Sequence, residues 1–247
     1  MPLAPDNAHR PWPVPARRWS VFMRWHELLF MHWPVPAAAL RPLIPGGLEL
    51  DTFGGEAWLG LVPFRMSGIR RRPLPPVPGT AAFAELNVRT YVSAGGKPGV
   101  WFCSLDAANR LAVRVARWRF HLPYYDARIT CTPAAGTVAY RSTRIHRNAP
   151  PAEFAARYRP TGVASRSAPG TLEHFLTERY CLYSASRGGQ IFRGEIAHAP
   201  WPLQPAECDV ERNTMAEAAG VRLPDARPLL HYSQSIDAVA WGLERVR

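Results

Sequence analysis

Glu85, Asn87 and Arg89 fall at alternate positions within the segment Ala84 to Val92. On an extended strand, alternate residues share a face at roughly 6.6 Å spacing, so an acid, an amide and a guanidinium form one polar row. On an open sheet such a row is a water-facing surface. Turned into an enclosed space, it becomes an acid–base group beside a holder for an anion, because burying these groups unpaired is costly without a function. Glu85 and Arg89 lie about 13 Å apart along the strand, too far to neutralise one another directly without bending. Tyr124 and Tyr125 begin a later segment; neighbours on a strand point to opposite faces, so at most one of them can enter a given cavity. At neutral pH a phenol donates a hydrogen bond and is a poor base. Nearer the N-terminus, Arg24 and His26 interleave with Trp25, Leu28 and Phe30. That mixture occurs in single-stranded nucleic-acid sites, but here it sits inside an apolar run, which favours a core strand carrying a few inward polar groups.

Other chemistries find little support. Of 247 residues, 30 are Lys or Arg and 19 are Asp or Glu, a net charge of +11. Lys97 is the only lysine, so any imine mechanism would have to run through it. The arginines are dispersed, with one run at Arg70-Arg71-Arg72, the pattern of a solvated surface more than of a phosphate-tracking stripe. Cys103, Cys131, Cys181 and Cys208 show no metal or redox spacing. Phosphate-loop, dinucleotide, zinc-protease, nucleophile-elbow and calcium-loop motifs do not occur. Neither a metal nor a cofactor is expected. With no apolar run near the ~18 residues of a membrane helix, and no apolar core in the Pro- and Arg-rich N-terminus, the expectation is a cytoplasmic protein without a membrane partner.

The elements that must position these groups are short, because 26 prolines punctuate the chain. Residues 1–18 read as a flexible arm and 19–247 as one domain. Strand patterning runs through 19–33, 48–51, 57–64, 84–92, 100–105, 127–132, 137–144, 179–184, 190–198 and 230–241. A helix is expected from an N-cap at Asp106 to before Pro123, with Ala108, Leu111, Ala112, Val115 and Trp118 on one stripe. Shorter helices are expected near 152–158, 171–176 and 214–219. Strands without regular intervening helices point to a mainly antiparallel β (α+β) fold, closed or nearly closed into a barrel around one small ligand.

Several blocks carry a family resemblance: Leu28 through Pro36, Leu40 through Pro45, Glu85-Leu86-Asn87-Val88-Arg89-Thr90-Tyr91, Leu122-Pro123-Tyr124 and Leu230-His231-Tyr232-Ser233. Over roughly 19–245 the chain resembles the YqjF-type proteins, DUF2071, a family similar in fold to acetoacetate decarboxylase. The resemblance implies a β-barrel or cone with a ligand cavity, with Glu85 at the decarboxylase's active-site glutamate. His26 falls, more loosely, where that enzyme keeps a cavity arginine. Where the enzyme carries two lysines after its helix, this chain reads Leu122-Pro123-Tyr124-Tyr125. Both amines are gone, which disfavours an imine-forming decarboxylase. The relatives' ring assemblies leave homo-oligomerisation open. The expectation is a pocket for a small anionic or carbonyl-bearing ligand, with Glu85, Tyr124 and His26 as catalytic candidates and Arg89, Asn87, Arg24 and Tyr125 as ligand contacts. Acid–base or enolate-stabilising chemistry without lysine is one reading, and a binding or sensing module without chemistry is the other.

Overall fold

Period-two patterning dominates the chain, and the computed structural model, which describes residues 7–76 and 81–246, folds most of it into strands. These are β1 (Val21–Val35), β2 (Glu49–Leu50), β3 (Ala57–Arg71), β4 (Phe83–Ala94), β5 (Lys97–Ala107), β6 (Tyr124–Ala134), β7 (Thr137–Arg144), β8 (Glu153–Pro160), β9 (Cys181–Ala185), β10 (Ile191–His198), β11 (Gln204–Asn213), β12 (Leu229–Ala240) and β13 (Glu244–Arg245). The helices are short: α1 (Ala37–Leu40), α2 (Arg110–Arg119), α3 (Leu172–Thr177) and α4 (Met215–Ala218). Pro36 precedes α1 and Pro42 sits in the 3-10 turn that ends it. Among the described residues no helix is long and apolar enough to cross a membrane.

The strands form one large sheet, parallel at β5–β6 and β5–β9. Its pairings return on themselves twice. One circuit runs β5–β4–β3–β1–β12–β10–β9 and back to β5; the other leaves β12 through β11, β8, β7 and β6. The expected barrel or cone is thus one sheet with two circuits sharing β12, β1, β3, β4 and β5. The β11–β12 side is filled. Leu86 and Val88 of β4 pack there with Leu29, Met31, Tyr140 and Phe154, each large side chain contributing roughly 1.5–3 kcal/mol by leaving water.

Three local expectations change. Asp106 is not a helix cap: it is a buried β5 residue gripped by Arg144, whose Nη2 donates to Asp106 Oδ1 at 2.7 Å. Asn109 caps α2 instead, its side chain accepting from the Ala112 N–H at 3.0 Å. The helix expected near 152–158 is instead strand β8 from Glu153, because Phe154, Ala156 and Tyr158 bury at every second position. The arm expected to be flexible is tied down over residues 7–18. Arg10 donates to the Ile196 carbonyl at 2.6 Å and to Glu195 at 3.0 Å, and the Trp12 indole donates to Glu195 at 2.7 Å. A buried carboxylate needs such donors. Of the segment 70–80, Arg70 and Arg71 continue β3, while 77–80 lie outside the described residues.

Candidate functional site

The circuit through β9 and β10 is hollow. It encloses a cavity of about 410 Å³, walled mainly by hydrocarbon and aromatic side chains such as Trp25, Phe30, Phe64, Phe102 and Trp201. Alternation places Glu85, Asn87 and Arg89 of β4 on this side, opposite Leu86 and Val88. Tyr124 joins them because β5 and β6 pair in parallel, Leu105 against Tyr124, so the phenol reaches β4 across β5. Its hydroxyl donates to Glu85 Oε2 at 2.7 Å.

Glu85 is 3% exposed, and no cation pairs with it among the described residues. Burial pushes its carboxyl up to about 8; hydrogen bonds from Tyr124 and Asn87 pull the other way, and nearby Asp106 adds to the rise. Burial, then the Glu85 charge, raises the Tyr124 phenol well above its ordinary value, so the phenol keeps its proton and donates. Asn87 Oδ1 is buried without a partner.

Arg89 sits two residues beyond Asn87, held by the Leu176 carbonyl at 3.1 Å, with Nε buried and unpartnered. No carboxylate pairs with it among the described residues. β3 makes room for it: a Cβ on Gly60 would lie 3.3 Å from Arg89 Cγ and 3.1 Å from the His32 ring. Arg179 also lines the cavity, but its charge is met by Asp51 at 2.6 Å. Arg89 is therefore the cavity cation with charge left to offer.

The remaining candidates lie elsewhere. Arg24 is exposed and forms a two-pronged pair with Asp237. His26 Nε2 is 2.7 Å from Ser67 Oγ and is absent from the cavity wall. β1 alternates, so once Met23 and Trp25 face the hollow, Arg24 and His26 must face away. Tyr125 likewise points away from Tyr124 and packs under the Arg144 guanidinium, 4.1 Å from its ring centre. Lys97 pairs with Glu195 at 3.3 Å, outside the cavity wall. Three cavity residues escaped the sequence reading: Arg179, His198 and Trp201. They arrive from segments about 90 residues or more beyond Glu85 with no local motif; the Arg179-Tyr180-Cys181 strand start was the one available signal. His198 is buried against the Tyr180 and Trp201 rings, and burial lowers its pKa. Among the described residues no three His, Cys, Asp or Glu side chains gather as a metal site.

Residues 22–237 match DUF2071, described as an uncharacterized conserved protein. The chain belongs to the DUF2071 family. It is 44% identical over 232 residues to the uncharacterized protein YqjF of Bacillus subtilis (strain 168), covering 94% of this chain and 95% of YqjF. Solved structures similar to this DUF2071 member include the enduracididine biosynthesis enzyme MppR, at TM-score 0.64 and 11% identity over 93% of this chain and 89% of that one. Acetoacetate decarboxylase from Legionella pneumophila aligns at 0.63 and 12% identity, over 96% and 92%. An acetoacetate decarboxylase-like enzyme from Sphingomonas wittichii RW1 aligns at 0.61 and 13%, over 96% and 98%. At these identities the likeness establishes the acetoacetate decarboxylase-like fold and nothing finer.

Proposed function

We propose that the cavity takes a small carboxylate- or carbonyl-bearing compound, and that Glu85 and Tyr124 move a proton to or from it without an imine. The carrying observation is the 2.7 Å Tyr124–Glu85 contact inside an apolar hollow, on a carboxyl that no cation among the described residues pairs with. Holding a carboxyl near 8 keeps both protonation states in reach around neutrality, which general acid–base work requires. Ionised, Glu85 takes a proton from the carbon beside a carbonyl, and the electron pair moves to the carbonyl oxygen. The Tyr124 hydroxyl then turns to that oxyanion as donor, and Arg89 holds a carboxylate by charge-assisted hydrogen bonds. The lone lysine is occupied by Glu195, which supports the imine-free route. Structures of the neighbour MppR are described as complexes with pyruvate and with its condensation product with imidazole 4-carboxaldehyde, so this architecture accepts 2-oxo acids in at least one protein.

The test is deuterium uptake at the carbon beside the carbonyl, followed by NMR with pyruvate and 2-oxobutanoate in heavy water. Wild type should catalyse exchange, rising towards pH 8; Glu85→Gln should abolish it and Tyr124→Phe should reduce it. If wild type exchanges no faster than buffer while ligands bind and return unchanged, the chemistry is wrong. The second reading, a binding module, then stands; the pairing of the lone amine with Glu195, away from the cavity, favours it.

A further inference from the structure

The α2 stripe is the element that the fold leaves unexplained. Val113, off the expected stripe, is its buried position, while on the stripe Leu111 is 59% exposed, Val115 46% and Trp118 78%. Exposed apolar side chains on a helix mark a surface with a partner more often than chance scatter does. Here they are not scattered: Leu111, Ala112, Val115 and Ala116 all belong to the cavity wall, with Phe120 and Leu122 just beyond the helix. The α2 face is therefore both the outer rim of the hollow and part of its lining.

The polar row runs away from that rim. The Ala108 N–H bonds the Ala84 carbonyl at 3.1 Å, so the start of β4 adjoins the start of α2. Glu85 comes next, and Arg89 lies four residues further along, against Leu176. Going inward from the helix, a ligand meets hydrocarbon, then the Glu85–Tyr124 pair, then the unneutralised Arg89 guanidinium. A four-carbon acid that reached Arg89 would leave the Leu111–Val115 rim and much of the 410 Å³ untouched.

We propose that the ligand is an oxo acid with a substantial apolar body, a medium-length alkyl chain or an aryl group. Its carboxylate lies at Arg89 and its tail against Leu111 and Val115. The inference rests on the anion-binding part of the functional reading and specifies the substrate class for the same cavity. It also accounts for the exposure of Leu111 and Val115, though not of Trp118, which lies outside the cavity wall: an apolar rim is a cost to the empty protein and a gain once a hydrocarbon tail covers it.

Trp25 and Trp201 line the cavity, so quenching of tryptophan fluorescence reports binding directly. The probes are straight-chain 2-oxo acids from 2-oxobutanoate to 2-oxodecanoate, with phenylpyruvate as the aryl case. Kd should tighten roughly fourfold per added methylene over the first several carbons. The double variant Leu111→Gln, Val115→Gln keeps good helix formers on an exposed face, so it should fold, and it should flatten that dependence. Equal affinity along the series overturns the proposal, as does no binding by any member or a length dependence untouched by the double variant. Glu85→Gln separates the two ideas. If the length dependence persists with no proton exchange in either protein, the chemistry fails and the substrate class stands; exchange without length dependence is the reverse.

Discussion

The two circuits share β12, β1, β3, β4 and β5, yet one is packed with side chains and the other encloses about 410 Å³. On β4 the difference is a matter of parity: Leu86 and Val88 join the filled side, while Glu85, Asn87 and Arg89 join the hollow one. On the filled side the Tyr140 hydroxyl donates to the Glu85 carbonyl at 2.7 Å, and Ser142 Oγ of β7 is left unpartnered on that face among the described residues. The hollow side leaves atoms without partners, among them Asn87 Oδ1, Arg89 Nε and the indole nitrogens of Trp25 and Trp201. Buried acids show the same contrast. Glu195, 2% exposed, is met by Arg10, Lys97 and Arg193, and Asp106 by Arg144. Glu85 has a phenol and an amide. Glu178, 7% exposed, also pairs with no cation among the described residues, but the Tyr180 hydroxyl and the Trp201 N–H occupy its two oxygens; Glu85 is the acid without a cation that lines the cavity.

The sharpest way to break this contrast is to cut into each side separately. Phe154→Ala in the filled circuit should cost about 3–5 kcal/mol, a fall in Tm of roughly 10 °C. Ligand affinity measured well below that Tm should be unchanged. If affinity collapses along with stability, the two circuits are one energetic unit and the division fails.

On the hollow side the next effect is linked to pH. The folded protein holds the Glu85 proton to about 8, whereas an ordinary glutamate releases it near 4.5. Between those values the native state carries the extra proton, so stability falls as pH rises, by up to roughly 1.4 kcal/mol per unit. Glu85→Gln removes that slope. Urea unfolding from about pH 5 to about pH 8 should show the variant gaining a few kcal/mol on wild type. Parallel stability curves would mean Glu85 is ionised and solvated, and its place in the hollow would be wrong.

Arg89→Met keeps the length of the side chain and removes the unneutralised charge. Binding of an oxo acid should weaken by roughly tenfold to a hundredfold, with little loss of stability, since no acid is left unpaired. Arg179→Met should be worse for folding, because it strands Asp51. If the two variants weaken binding equally, the anion is shared between both guanidinium groups.

How much of this could be read from the sequence follows from the range of the interactions. The β4 row was legible because alternation is local: each residue's face is fixed by its neighbours. The same rule correctly sent Tyr124 and Tyr125 to opposite faces. The expected cavity's far wall was not legible, since Arg179, His198 and Trp201 come from distant segments that leave no trace in the residues around β4. Asp106 misled because an acid before an apolar helical stripe is a good cap; its partner Arg144 is 38 residues away. Residues 152–158 misled because alanine-rich segments favour helix, and tertiary burial of Phe154 and Tyr158 overrode that preference.

The smallest effects are expected on the far face of β1. The Arg24–Asp237 pair is exposed, and such pairs contribute about 0–1 kcal/mol. His26 is shifted down chiefly by burial, then by Arg65 and Arg24, so near pH 7 it is neutral and its Ser67 contact is worth about 1 kcal/mol. Below its ordinary pKa the unfolded chain takes up the proton more readily, so this contribution fades as pH drops through the mid-sixes. Arg24→Ala and His26→Ala should therefore leave oxo-acid Kd within about twofold of wild type, inside the range that surface changes usually produce. A tenfold loss in either would mean that the ligand is read from both faces of β1. Parity would then no longer separate the working side of the sheet from the supporting one.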